Sequence, residues 1–165
     1  MDNKGITIIE LILILAIMGI IFLIAIPKFD FSDSEMKRFG RELVMDLNYI
    51  KTKSKTSKYN FDNKIHFITS AGKKDSYYVS LKGEPNKRVY LNEKFTIATN
   101  LVDKKNYFTK IGVPSPRAGT IRLINNSNNN YIEITITPAT GRIHMYEDVK
   151  KGYQDDLEYE MGTNK

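Results

Sequence analysis

The sequence predicts an α+β protein. A long N-terminal helix, its first half transmembrane and its second half amphipathic, packs on an antiparallel β-sheet body of about eight strands. Three observations carry this expectation. Residues 6–26 are a nearly unbroken apolar run with one charge, Glu10. Residues 34–55 place apolar side chains at three- and four-residue steps. From about Asn63 onward the apolar period becomes two, the period of a strand with one face buried and one wet. The organisation expected is residues 1–5 as a leader, 6–27 as an apolar helix, 28–58 as an amphipathic helix, 59–147 as the β body and 148–165 as a charged tail.

As a helix, the apolar run of 21 residues would be roughly 32 Å long, enough to cross a bilayer. It is too long for the core of a secretory signal peptide and ends in Ile-Pro-Lys-Phe, without a small-residue cleavage site. Glu10 is the anomaly, because a carboxylate inside such a span costs roughly 2.5–3.5 kcal/mol and needs a partner. No Lys, Arg or His lies between Ile6 and Ile26. A cut between Gly5 and Ile6 would supply one, since the new ammonium at Ile6 would stand one helical turn from Glu10 or within reach of a neighbouring copy's Glu10.

The residues around Glu10, Lys4-Gly5-Ile6-Thr7-Ile8-Ile9-Glu10, followed by the apolar core and Ala25-Ile26-Pro27, resemble the signature of type IV prepilins and type II secretion pseudopilins. The resemblance implies a pilin-like fold. It also implies that prepilin peptidase, a membrane aspartyl protease, removes Met1–Gly5 and methylates the Ile6 amine. It further implies assembly by an inner-membrane platform and its ATPase. Before assembly the helix would sit in membrane lipid, single-pass with a cytoplasmic N-terminus. Afterwards it would lie in an extracytoplasmic filament, where Glu10 pairs with a neighbouring subunit's Ile6 amine. Gly5 suits the cleavage site because it has no side chain to obstruct the peptidase, and Pro27 is expected to kink or break the helix at the end of the span.

Beyond Pro27, Ser32 with Glu35 three residues later reads as a capping box. Met36, Phe39, Leu43, Leu47 and Ile50, widened by Val44, then form the apolar stripe of one amphipathic helix over roughly Ser34–Lys55. Lys51, Lys55 and Lys58 are four and three residues apart, so on a helix they share a face that could track phosphates. They equally suit a solvated helix end, where cations favour the dipole. No aromatic interleaving accompanies them.

Eight strands are expected, as an antiparallel meander: residues 64–70, 76–81, 87–91, 94–99, 106–111, 119–125, 131–137 and 142–147. In Tyr131–Thr137 the residues Ile132, Ile134 and Ile136 face one way and Glu133 and Thr135 the other. Turns at 125–130 and 138–141 make the last three strands consecutive hairpins, and 113–119 reads as a long surface loop. The strand containing Thr120-Ile121-Arg122-Leu123, the alternating Ile strand and Gly141-Arg142-Ile143 resemble the H-type minor pseudopilins and minor pilins. The tail is a departure from them.

Zero cysteines exclude disulfides, a thiol nucleophile and iron–sulfur or zinc-finger sites. His66 and His144 are the only histidines, each in an alternating strand. The acidic residues Asp155, Asp156, Glu158 and Glu160 read as a solvated tail. No enzymatic activity, cofactor or metal is therefore expected. Residues 29–165 hold 23 Lys+Arg and 17 Asp+Glu, so the net charge of +6 belongs to the body. The function expected is a minor pilin or pseudopilin that initiates or caps a filament, with other such subunits as partners. The alternatives are a DNA-capturing minor pilin, with Lys51, Lys55, Lys58, Arg117, Arg122 and Arg142 as candidate contacts, and a major pilin for adhesion or motility.

Overall fold

A computed structural model describes residues 7–25, 31–58, 61–69 and 74–154. The chain divides into two compact units, residues 1–31 and 32–165.

In the first unit, helix α1 (Ile8–Ala25) carries apolar side chains around its whole circumference. Its 18 residues rise about 27 Å, short of the roughly 30 Å hydrocarbon core of a bilayer. Among the described residues no helix is long and apolar enough to cross a membrane. This corrects the expected transmembrane half and, with it, the single-pass placement with a cytoplasmic N-terminus. The apolar run extends from Ile6, whereas the helix begins only after Thr7. Gly5, Ile6 and Pro27 lie outside the described residues.

The second unit begins with helix α2 (Ser32–Thr56), two residues longer at its start than the apolar stripe required. Met36, Leu43, Leu47 and Ile50 are completely or almost completely buried, with Gly40 between them. Burying each large apolar side chain contributes roughly 1.5–3 kcal/mol, far more than the propensity of an isolated helix. Ser32 is buried and its hydroxyl accepts a 2.8 Å hydrogen bond from Asn125, which ties the first turn of α2 to the sheet beneath.

Nine strands follow among the described residues: β1 (Lys64–Ile68), β2 (Ser76–Ser80), β3 (Lys87–Tyr90), β4 (Phe95–Thr99), β5 (Lys105–Phe108), β6 (Pro114–Ser115), β7 (Thr120–Asn125), β8 (Asn130–Ile136) and β9 (Ile143–Lys150). They do not form one meander, and this is the second correction. One antiparallel sheet has the order β3-β2-β1-β5-β6 and the other β4-β7-β8-β9. The division arises because β4 leaves its sequence neighbours to pair with β7, Phe95 opposite Asn125 and Thr99 opposite Ile121. The last three strands are consecutive hairpins. β6 forms within the expected 113–119 loop, and Ser115–Pro116 is a cis peptide.

The inner faces of both sheets and the stripe of α2 share one core, in which Ile65, Phe67, Tyr77 and Phe108 meet Ile121, Leu123, Ile132 and Ile134. Polar groups join the parts. Tyr77 donates a 2.9 Å hydrogen bond to Asp46 of α2, and Lys87 reaches both Asp46 (2.9 Å) and Glu42 (3.0 Å). Burial and the neighbouring Asp46 push the Tyr77 phenol well above its ordinary range. Asp75, just before β2, accepts a 2.7 Å hydrogen bond from the Ile97 backbone N–H. A side chain of one sheet thus occupies the outer edge of β4 in the other.

Candidate functional site

Helix α1 is the feature whose surface has the least explanation within its own fold unit. From Ile8 to Ile24 every residue is exposed, with the large side chains ranging from 44% at Ile14 to 80% at Ile8. A helix that is apolar on all sides is stable only when something covers it on all sides. Its amino end is built as a reciprocal cap. The Glu10 backbone N–H donates to Thr7 Oγ1 at 3.3 Å, and the Thr7 N–H donates to Glu10 Oε2 at 3.4 Å. This is the capping box of the pattern Thr-x-x-Glu, which satisfies two otherwise orphaned donors and sets a negative charge at the positive end of the helix dipole. Glu10 therefore has a local role that needs no partner subunit. The signal was present in the sequence, since Thr7 and Glu10 have the same spacing as Ser32 and Glu35.

The basic residues singled out from the sequence do not converge on one surface. Lys51 turns inward, and its ammonium donates to the backbone carbonyls of Thr140 (3.2 Å) and Gly141 (2.9 Å). Burial, then the adjacent Lys55 ammonium, lowers its pKa. Lys51 and Lys55 lie so close over Gly112 that a Cβ there would stand 3.0 and 2.7 Å from their Cε atoms. The opposing turn is as tight, for a Cβ on Gly141, whose φ is +58°, would fall 2.0 Å from the Gly112 carbonyl oxygen. Lys51 thus fastens the β8–β9 turn to α2, with the loop after β5 packed against its stem and that of Lys55. Lys58 is exposed beyond the end of α2.

Arg122 is held on the outer face of β7 by a 2.9 Å ion pair with Glu133, with Lys150 3.5 Å from the same carboxylate. Its guanidinium also lies 5.2 Å from the Tyr131 ring centre. Arg117 is exposed in the loop before β7, and its carbonyl accepts a bond from the buried Asn106. Arg142, with Thr135, Thr137, His144 and Tyr146, lines an open groove of about 280 Å³ on the outer face of the β8–β9 hairpin. Among the described residues no group of three or more His, Cys, Asp or Glu side chains could hold a metal ion. The acidic residues 155–160 lie outside them.

No family model, curated protein or solved structure matches this chain.

Proposed function

We propose that this chain is a structural subunit of a type IV pilus-like or type II secretion filament, a minor pilin or pseudopilin that initiates or caps the assembly by packing its N-terminal helix among those of other subunits. One observation carries the reading. α1 is apolar around its whole surface and exposed along its described length, so the side chains of neighbouring helices would supply the cover it needs. The prepilin-like residues from Lys4 to Glu10 support it independently. Buried among apolar helices, Glu10 would sit where a charge interacts strongly with any cation brought beside it. A processed Ile6 ammonium on a neighbouring subunit supplies that cation. The Thr7–Glu10 cap would then hold the carboxylate in place for the contact.

The mass of the N-terminal peptide, taken from protein recovered from its native cells, tests this reading. The expected chain begins at Ile6 and is heavier by one methyl group. A chain that still begins at Met1 in cells with active prepilin peptidase would overturn it.

A further inference from the structure

The outer face of the β3-β2-β1-β5 sheet collects residues that no single stretch of sequence places together. The pairing registers align Arg88 with Tyr78, Tyr78 with His66, and His66 with Lys105 in one row across four strands. At about 4.8 Å per strand the row is about 14 Å long. The neighbouring row sets Lys64 opposite Tyr107, and Tyr90 follows Arg88 by two residues on the same face. No Asp or Glu occupies an outward position on these four strands. Among the described residues, Arg88, Lys64 and Lys105 make no ion pair. The contrast is with the outer face of β7–β9, where Glu133 pairs with both Arg122 and Lys150.

Two aromatic rings on this face are exposed, and Tyr78 and Tyr107 are half-buried. Tyr90 is 57% exposed, with the Arg88 guanidinium 4.7 Å from its ring centre. Phe61 is 52% exposed and stands edge-on to Tyr107 at 4.6 Å between ring centres. Phe61 adopts φ +74°, a left-handed conformation that is unfavourable for a bulky side chain. His66 accepts or donates a 2.8 Å hydrogen bond with the Tyr78 hydroxyl, which fixes both rings. Burial, then the nearby Lys105 and Lys64 ammoniums, holds the His66 imidazole below its ordinary pKa against the opposing pull of the Asp103 carboxylate.

We infer that this face binds single-stranded nucleic acid, with bases stacking on Tyr90, Tyr107 and Phe61 and phosphates held by Arg88, Lys64 and Lys105. Exposed rings offer stacking to any base, and interleaved cations follow the backbone, the combination that sequence-tolerant single-strand binders use. A duplex hides its base faces and gains only the phosphate contacts. The inference does not depend on the filament reading.

Fluorescence anisotropy of a labelled oligothymidylate of about 12 nucleotides, titrated with the full chain in mild non-ionic detergent, tests it. An abasic strand of equal length and a duplex serve as comparisons. The oligothymidylate should bind, and binding should weaken at least tenfold between about 50 and 200 mM salt. Tyr90→Ala and Phe61→Ala, at exposed positions that folding tolerates, should each weaken oligothymidylate binding by about tenfold and leave the abasic strand unaffected. Tyr90→Phe should retain binding because the ring remains, whereas Arg88→Ala should weaken both strands. Arg41→Ala, at an exposed position on α2, should change nothing. No binding at low salt, equal affinity for the abasic strand or duplex, or alanine variants that bind like the parent would each overturn the inference.

Discussion

Leu13 on α1 and Leu47 on α2 are the same side chain on the same kind of backbone, yet the first is 59% exposed and the second completely buried. The difference lies in the periodicity around them. On α2, apolar positions return to one side every turn while Asp46, Lys53 and Glu42 occupy the others, so one sheeted partner satisfies the helix. On α1 every side is alike, and a single flat partner would leave most of it wet. The pair teaches that an apolar helix and an amphipathic helix need different numbers of neighbours. The neighbours of α2 are its own strands. In the reading proposed above, those of α1 are other subunits.

The largest expected effect sharpens that contrast directly. Leu47→Ala should destabilise the body by about 2–5 kcal/mol, the usual result of opening a cavity in a close-packed core. Leu13→Ala should change the same urea transition by less than about 0.5 kcal/mol. A comparable loss from both would mean that α1 is covered within the subunit, and the contrast would fail.

Tyr77→Phe removes the hydrogen bond from the sheet to Asp46 and should cost about 1 kcal/mol near neutral pH. It should also alter the alkaline limb. The folded state keeps the phenol protonated, so the stability linked to Tyr77 is fully present below its unfolded pKa of 10.0 and is lost as pH rises beyond it. In the Phe variant this part of the alkaline decline should disappear from a series of thermal melts.

A similar loss, about 1 kcal/mol but confined to one turn, is expected from Thr7→Ala. Amide hydrogen exchange should accelerate in the first turn of α1 while the urea transition of the body stays unchanged. A shift of the whole transition would show that the cap matters to more than its own helix.

The smallest effect concerns the exposed seam of α2, where Lys53 stands 2.6 Å from Glu84. The hydrogen bond from Lys53 holds the Glu84 carboxyl below its ordinary value of 4.5. Its contribution is therefore present above that pH and lost as pH falls through the lower folded value. Glu84→Gln should flatten the decline in melting temperature between about pH 6 and pH 3, slightly, because the pair is largely solvated.

The strands were legible wherever one face is dry. Ile132, Ile134 and Ile136 face the core as their alternation implies, and eight of the nine strands among the described residues fall at the expected positions. The division into two sheets was not legible, because alternation identifies the face of a strand and not its partner, and β4 finds β7 across 20 intervening residues. The capping pattern at Thr7 and Glu10 is written in the sequence, where the apolar run around it makes Glu10 stand out as a lone charge instead of as half of a cap. Lys51 and Arg122 looked available because charge alone says nothing of the carbonyls or carboxylate that engage them. The row from Arg88 to Lys105 is invisible to a linear reading, since register alone brings positions 66, 78, 88 and 105 together.

The Asp75 carboxylate on the Ile97 amide has a consequence beyond joining the two sheets. An open strand edge is a template on which another polypeptide can polymerise, and proteins protect such edges with charge or covering segments. Here one carboxylate both occupies an outward amide of β4 and brings negative charge to it. That one contact makes β4 a poorer template for strand addition by a second molecule.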